Sequence, residues 1–225
     1  MTPKVTKEYI ANKKKKIIEA AYQLCLEKTV STVTMQDIIN RIGLSQGGIY
    51  RFYHDIDEIF ADMLIEMRQK VSIKEKIDEI FEKAEELPAQ EVTNAIFDVL
   101  ADFMSEELMG VVKIDFELNV LAMNSPDRVE KILAGASGVG HMEYLMQRTS
   151  EFFKEKIEKG EAQLRVSEVE FLTYISSAYS GIQMSCIVNN CYRKGPMAEF
   201  YQPKMLLKTM AKTINYLLGI EEEGQ

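Results

Sequence analysis

Apolar residues recur at helical spacing along nearly the whole chain. Between Lys7 and Lys28, the positions Ile17, Ala20, Ala21, Leu24 and Cys25 fall at i, i+3, i+4, i+7 and i+8, one face of an amphipathic helix. Thr29–Val33 breaks this pattern. Its β-branched residues have no neighbouring run to pair with as a strand, so the stretch reads as a loop. Thr34 then stands as an N-cap with Asp37 three residues on, an imperfect capping box, and Ile38, Ile39 and Ile42 supply a buried stripe that Gly43 ends. Ser45 caps a short third helix through Phe52, and Asp55 with Glu58 opens a fourth that runs past Met67. Helices are expected further on at about 73–86, 89–105, 107–124, 126–159 with a Gly-rich interruption, 167–190 and 203–219. Pro88, Pro126, Pro196 and Pro203 sit at or between those boundaries, where a missing amide is harmless. The fold class is all-α: an N-terminal three-helix helix-turn-helix domain plus a larger C-terminal helical domain.

Composition narrows the function. Of 225 residues, 46% are hydrophobic and 28% charged, enough for a sizeable core, and there is no Trp. The three cysteines, Cys25, Cys186 and Cys191, form no CxxC pair and give neither a disulfide framework nor a zinc site. Basic residues in the first sixteen positions are not followed by an apolar run long enough for a signal peptide or membrane span, so a soluble cytoplasmic protein is expected. The net charge of −8 argues at first against a polyanionic partner. Its distribution reverses that reading. Residues 1–54 hold nine Lys and Arg against four Asp and Glu, a net of +5 that leaves −13 for the remainder. A small basic head on an acidic body implies that the head alone meets nucleic acid.

Met35–Phe52, MQDIINRIGLSQGGIYRF, carries the most information. A helix-turn-helix needs apolar residues where two helices cross and a residue tolerant of positive φ where the chain reverses. Ile38, Ile42, Leu44, Ile49 and Phe52 meet the first need and Gly43 the second. That leaves Ser45, Gln46, Gly47, Gly48, Tyr50 and Arg51 near the exposed side or N-terminus of the second helix, where a major groove could receive them.

Residues of about 10–64 therefore resemble the DNA-binding domain of the TetR/AcrR family of transcriptional regulators. The likeness rests on a basic-headed first helix, Thr34, the Ile38–Gly43 run, Leu44-Ser45-x-Gly47-x-Ile49-Tyr50-x-x-Tyr53 and an acidic start to the fourth helix. It implies that Thr34 and Tyr50 hydrogen-bond phosphates, that Gln46 and Gly47 lie against bases, and that Tyr53 helps to hold the helix on the backbone. The DNA-binding set is completed by Gln36, Ser45, Gly48, Arg51 and His54. Three positions depart from the family pattern: Ile39 where a small residue is usual, Thr29 near a common Gly, and Ile56 where a Lys opens the fourth helix. The last removes a phosphate contact that Arg51, His54 or the N-terminal lysines would have to replace.

The rest of the chain is expected to sense and dimerise. Large adaptable side chains are frequent between residues 97 and 184, and Phe103, Met104, Phe116, Met123, Met142, Tyr144, Tyr174 and Tyr179 are candidates to line an apolar cavity for a small-molecule effector. By family analogy, helices 167–190 and 203–219 would pair with a second copy as a four-helix bundle. The helix at about 55–70 would connect the DNA-binding domain, residues 1–54, to the effector and dimerisation domain, residues 55–225. No metal or other cofactor is expected: His54 and His141 are the only histidines. Gly135–Gly140 lacks both a preceding strand and the Lys-Ser/Thr ending of a phosphate loop. No nucleophile, acid and base converge in the sequence, so an enzyme is not expected. The reading is a repressor released from a palindromic operator by an apolar or amphipathic ligand. A DNA-binding regulator answering to a protein partner or to no effector is the alternative, and a helical enzyme or adaptor is the rival of another class.

Overall fold

The computed structural model describes residues 6–70, 73–137, 140–193 and 195–220, with the backbone alone for residues 141 and 142. The described residues form α1 (Lys7–Glu27), α2 (Met35–Ile42), α3 (Gln46–Ile49), α4 (Ile56–Lys70), α5 (Lys74–Glu82), α6 (Ala89–Glu106), α7 (Val111–Asn124), α8 (Pro126–Gly135), α9 (His141–Glu158), α10 (Glu168–Ile187) and α11 (Pro203–Leu217), and no strand. The all-α expectation holds. None of these helices is long and apolar enough to cross a membrane. The chain forms two compact units, one within Met1–Val71 and Ile114–Gly138, the other within Ser72–Lys113 and Val139–Gln225.

In the first unit, α1 lies against α2 and α4, and α4 also packs on α8. The α1 stripe read from the sequence is the one that is buried: Ile17 and Ala21 have no exposed surface, and Ala20, Leu24 and Cys25 join them. Val30–Thr32, read as loop, is one turn of 3-10 helix whose Val30 side chain is fully enclosed. Ile38 and Ile39 are buried as expected, whereas Ile42 is only half-buried. The reason is that α2 ends at its position and Gly43 turns the backbone into the left-handed region (φ 67°, ψ 27°). α4 contributes Ile59, Phe60, Met63 and Leu64, and α8 contributes Val129 and Ile132.

In the second unit, α6 runs along α11, with Ile96, Phe97, Leu100 and Met104 enclosed on one helix and Leu207, Met210, Ala211 and Ile214 on the other. The α11 spacing of i, i+3, i+4 and i+7 is the helical stripe expected of a helix packed on one face. α5 packs on α6 and α9, and Phe81, Phe152, Phe153 and Phe171 form a chain of edge-to-face rings. Beyond Ile187 the helix loosens into a π turn, Val188–Tyr192, in place of the continuous helix expected to residue 190. Asn189 and Asn190 donate their side-chain amides to the carbonyls of Ser185 and Cys186, supplying partners where the regular ladder is interrupted. Burial pushes the Cys186 thiol up to about 11, with Cys191 adding to the effect, so it stays protonated as a core residue.

Candidate nucleic-acid interface

Thr34 starts α2 with a complete capping box. Its hydroxyl accepts from the Asp37 N–H at 3.2 Å, while Asp37 accepts from the Thr34 N–H at 2.8 Å. The same carboxylate accepts from the Thr34 hydroxyl at 2.6 Å and from the Lys28 ammonium at 2.5 Å. These donors, Lys28 first, hold the Asp37 carboxyl down at about 2. A carboxyl depressed in the folded state stabilises above its unfolded value, near 4, and that contribution disappears as pH falls toward 2. Melting temperatures between pH 2 and 5 should therefore fall with acid more steeply in the wild type than in Asp37→Asn. Parallel curves would show that the box contributes nothing.

Ser45 performs the same service for α3, accepting from the Gly48 N–H at 3.2 Å. Only one side chain of that short helix is buried, Ile49, and it is wholly enclosed. A helix of four residues anchored at one point turns nearly everything else outward. Ser45, Gln46, Gly47, Tyr50, Arg51 and His54 are exposed, and Gly48 is half-buried beneath the Ser45 hydroxyl. Two hydroxyls, an amide, a guanidinium and bare backbone thus lie within ten residues, the groups that meet phosphates and base edges. Arg51 also lines a shallow recess with Ile10, Lys14 and Phe52. Gln36 is exposed on α2 and donates its side-chain amide to Asn40.

Two expected phosphate ligands have other partners. Tyr53 is 2% exposed, and its hydroxyl donates to Asp62 of α4 at 2.8 Å, beneath the Lys14 ammonium, which lies 4.5 Å from the ring centroid. Burial, then the Asp62 carboxylate, leave its hydroxyl far less acidic than an ordinary tyrosine's, which keeps it a donor. Tyr53 belongs to the scaffold rather than to the phosphate face. Thr34 remains at the surface, with its hydroxyl donating to Asp37 at the start of α2.

The lysine run divides as helical geometry requires. Lys14 pairs with Asp62 at 3.2 Å and Lys13 lies over the Tyr9 ring, while Lys15 and Lys16 are exposed. At the start of α4, Ile56 is half-buried in place of a cation. The acidic groups beside it are compensated from α8. Lys131 meets Asp55 at 2.5 Å and Arg128 meets Asp57 at 2.8 Å, which weakens the repulsion that these carboxylates would offer a phosphate. The Asp62 and α8 partners escaped sequence reading, since each lies on a separate helix with no local pattern linking it to the head.

The candidate effector residues are distributed between the units. Phe116 and Met123 lie in the first, and Phe103, Met104, Tyr144, Tyr174 and Tyr179 in the second. Met142 lies outside the described side chains. Met104 has no exposed surface and so cannot line a cavity that admits water, and Met123 is 82% exposed, no part of an enclosed wall. Tyr144 donates its hydroxyl to Asp78 of α5, with the Lys74 ammonium 5.0 Å from the ring centroid. Phe103 and Phe116 are half-buried and Tyr179 is nearly enclosed. Tyr174 lines a groove of about 420 Å³ along α10 and α11 with Ala178, Gly181, Ser185 and Met210 among its walls. Among the described residues no group of three or more His, Cys, Asp and Glu is placed to hold a metal ion.

Residues 17–63, which span these helices, match the family model for bacterial regulatory proteins of the tetR family. Over 214 residues, 93% of this chain and 97% of the relative, the sequence is 23% identical to the uncharacterized HTH-type transcriptional regulator YfiR of Bacillus subtilis (strain 168). Among solved structures, a candidate TetR-family transcriptional regulator from Mesorhizobium loti superposes with a TM-score of 0.62 at 15% identity, covering 94% of this chain and 98% of that one. Salmonella enterica GusR superposes with a TM-score of 0.60 at 14% identity, covering 96% and 98%. With a capped helix-turn-helix inside the matched segment, residues 17–63 are similar to the DNA-binding domain of bacterial regulatory proteins of the tetR family, and the fold of solved TetR-family structures runs through both units.

Proposed function

We propose that the protein is a cytoplasmic homodimeric repressor that reads a palindromic operator with α3 and is released by a small apolar or amphipathic ligand. The observation that carries the reading is the exposed row Ser45, Gln46, Gly47, Tyr50 and Arg51, held outward by a single buried anchor, Ile49. Proteins of the family bind DNA and typically dimerise. A helix of four residues touches few bases, so two heads related by a twofold axis are needed for specificity and for enough phosphate contacts.

The mate is a second copy of this chain seated on α10 and α11. Leu172, Tyr174, Met184, Met205 and Tyr216 are each between 38% and 50% exposed on these helices. Ala178, Gly181 and Ser185 line their groove at helical spacing, and nothing lies within 4 Å of a Cβ added at Gly181. Large exposed apolar side chains beside a strip of small ones suit close helix-to-helix docking. The ligand would act by favouring a dimer whose heads are spaced wrongly for successive major grooves. α4 serves as the lever, tied to α8 through Asp55–Lys131 and Asp57–Arg128. Differential ligand binding of about 1–3 kcal/mol suffices for a change of about 5- to 150-fold in DNA affinity.

Selection of bound duplexes from a random library tests the reading. It should return two inverted half-sites about one helical turn apart, and a single undivided site would count against the dimer. Tyr50→Phe should then weaken all duplexes to a similar extent, while Gln46→Ala should change base preference at one position of each half-site; the reverse pattern would exchange their roles. Titration of the complex with apolar compounds that leave affinity unaltered throughout would favour a regulator governed by a protein partner or by none.

A further inference from the structure

The backbone amide of Val30 is met by a side chain from 87 residues away: its N–H donates to the Glu117 carboxylate at 2.6 Å. Both residues belong to the first unit, Val30 with no exposed surface and Glu117 with 7%. Val30 opens the 3-10 turn between α1 and α2, and the first amides of any helical turn have no partner within it. Thr29, the residue placed to cap the turn, makes no side-chain cap; its hydroxyl meets that of Thr32 instead. A buried amide left unsatisfied is costly, so a charged acceptor brought in from α7 is a strong determinant of how this corner sits.

Beyond the corner lies the DNA-reading pair. Val33 is buried, Thr34 caps α2, and α2 leads through Gly43 into α3. We propose that Glu117 is a positioning residue for DNA binding: by capping the Val30–Thr32 turn from α7, it fixes the direction in which α2 and α3 leave α1. It touches no DNA. Withdrawing the carboxylate, as a shift of α7 along or about its axis would do, releases the corner and misdirects both helices. The inference rests on the proposed DNA-reading role of α3 and adds a specific atom through which α7 governs it.

The test uses the full chain, a duplex recovered by the selection above, and the variants Glu117→Leu and Glu117→Gln. Glu117→Leu keeps the bulk and loses the acceptor, whereas Glu117→Gln keeps an oxygen that can accept from Val30. At a temperature well below the melting transition, Glu117→Leu should bind about tenfold more weakly to every duplex with base preference unchanged, and Glu117→Gln should restore most of the loss. Glu117→Leu binding as the wild type, or Glu117→Gln failing as badly as Glu117→Leu, would overturn the proposal. Hydrogen exchange in the wild type keeps it testable should Glu117→Leu not fold. If losing the bond weakens DNA binding tenfold, linkage requires that DNA binding suppress opening of the bond by about the same factor. Exchange at Val30 should slow about tenfold on duplex addition, and an unchanged rate would refute the coupling. A wild-type chain that recovers no duplex at all would instead defeat the DNA-reading role itself.

Discussion

Gly47→Glu should leave the fold intact and abolish duplex binding. Gly47 is exposed in the first turn of α3, and nothing lies within 4 Å of a Cβ built there, so a larger side chain meets no obstacle. Replacing Gly inside a helix recovers about 0.5 kcal/mol of propensity, and a carboxylate near the helix start adds about 0.3–1 kcal/mol through the dipole. The melting temperature should hold or rise slightly. With α3 in a groove, the same carboxylate would be carried between two phosphate backbones, where like-charge juxtaposition costs several kcal/mol. About 3 kcal/mol per head is already a loss of about 150-fold. Fluorescence anisotropy on the selected duplex at low salt, beside a thermal melt, separates the two effects. Binding within about threefold of the wild type would remove α3 from the interface.

Ile49→Ala should also remove binding, by the opposite route. Ile49 is the one buried side chain of α3 and has no exposed surface, so truncation leaves a cavity at the only point holding the helix. Such changes cost about 2–5 kcal/mol. In a unit of this size that lowers its melting temperature by about 10 °C or more. Calorimetry should show this as a lowered melting transition. A variant that melts like the wild type yet fails to bind would mean that Ile49 guides the helix without stabilising it. Together, the two substitutions separate the roles of the outward and inward faces of one short helix.

The range of each interaction decides how much of this is legible in the sequence. The caps at Thr34 and Ser45 and the reversal at Gly43 are legible because each depends on residues three or four positions away. The stripe of α1 is legible for the same reason, since period alone fixes which residues share a face. Tyr53 misleads because a hydroxyl beside α3 looks like a phosphate donor until Asp62, on α4, is found to accept its hydrogen bond. At Thr34 the capping box is recognisable, but the third bond, hydroxyl to carboxylate, is not part of its pattern. Glu117 and Lys131 are invisible, because nothing in a helical pattern says which distant amide or carboxylate a charged residue will meet. The Met and aromatic residues of the second unit defeat sequence reading differently. An enclosed Met104 and a half-buried Phe103 are adjacent in sequence, and composition does not separate core from cavity wall.

The first unit is assembled from two stretches of chain, with Ile114–Gly138 returning to complete what Met1–Val71 begins. α8 buries Val129 and Ile132 there, and α7 brings the acceptor for Val30. During synthesis, the amino-terminal helices must therefore wait for more than forty further residues before their apolar flank is covered. At about 5–20 residues per second that is an interval of seconds, long on the scale on which helices form and chains collapse. A nascent or prematurely terminated fragment ending near α5 would carry the recognition helix without the segment that steadies it. Completion of the unit that holds the helix-turn-helix is thus tied to translation well past the motif itself.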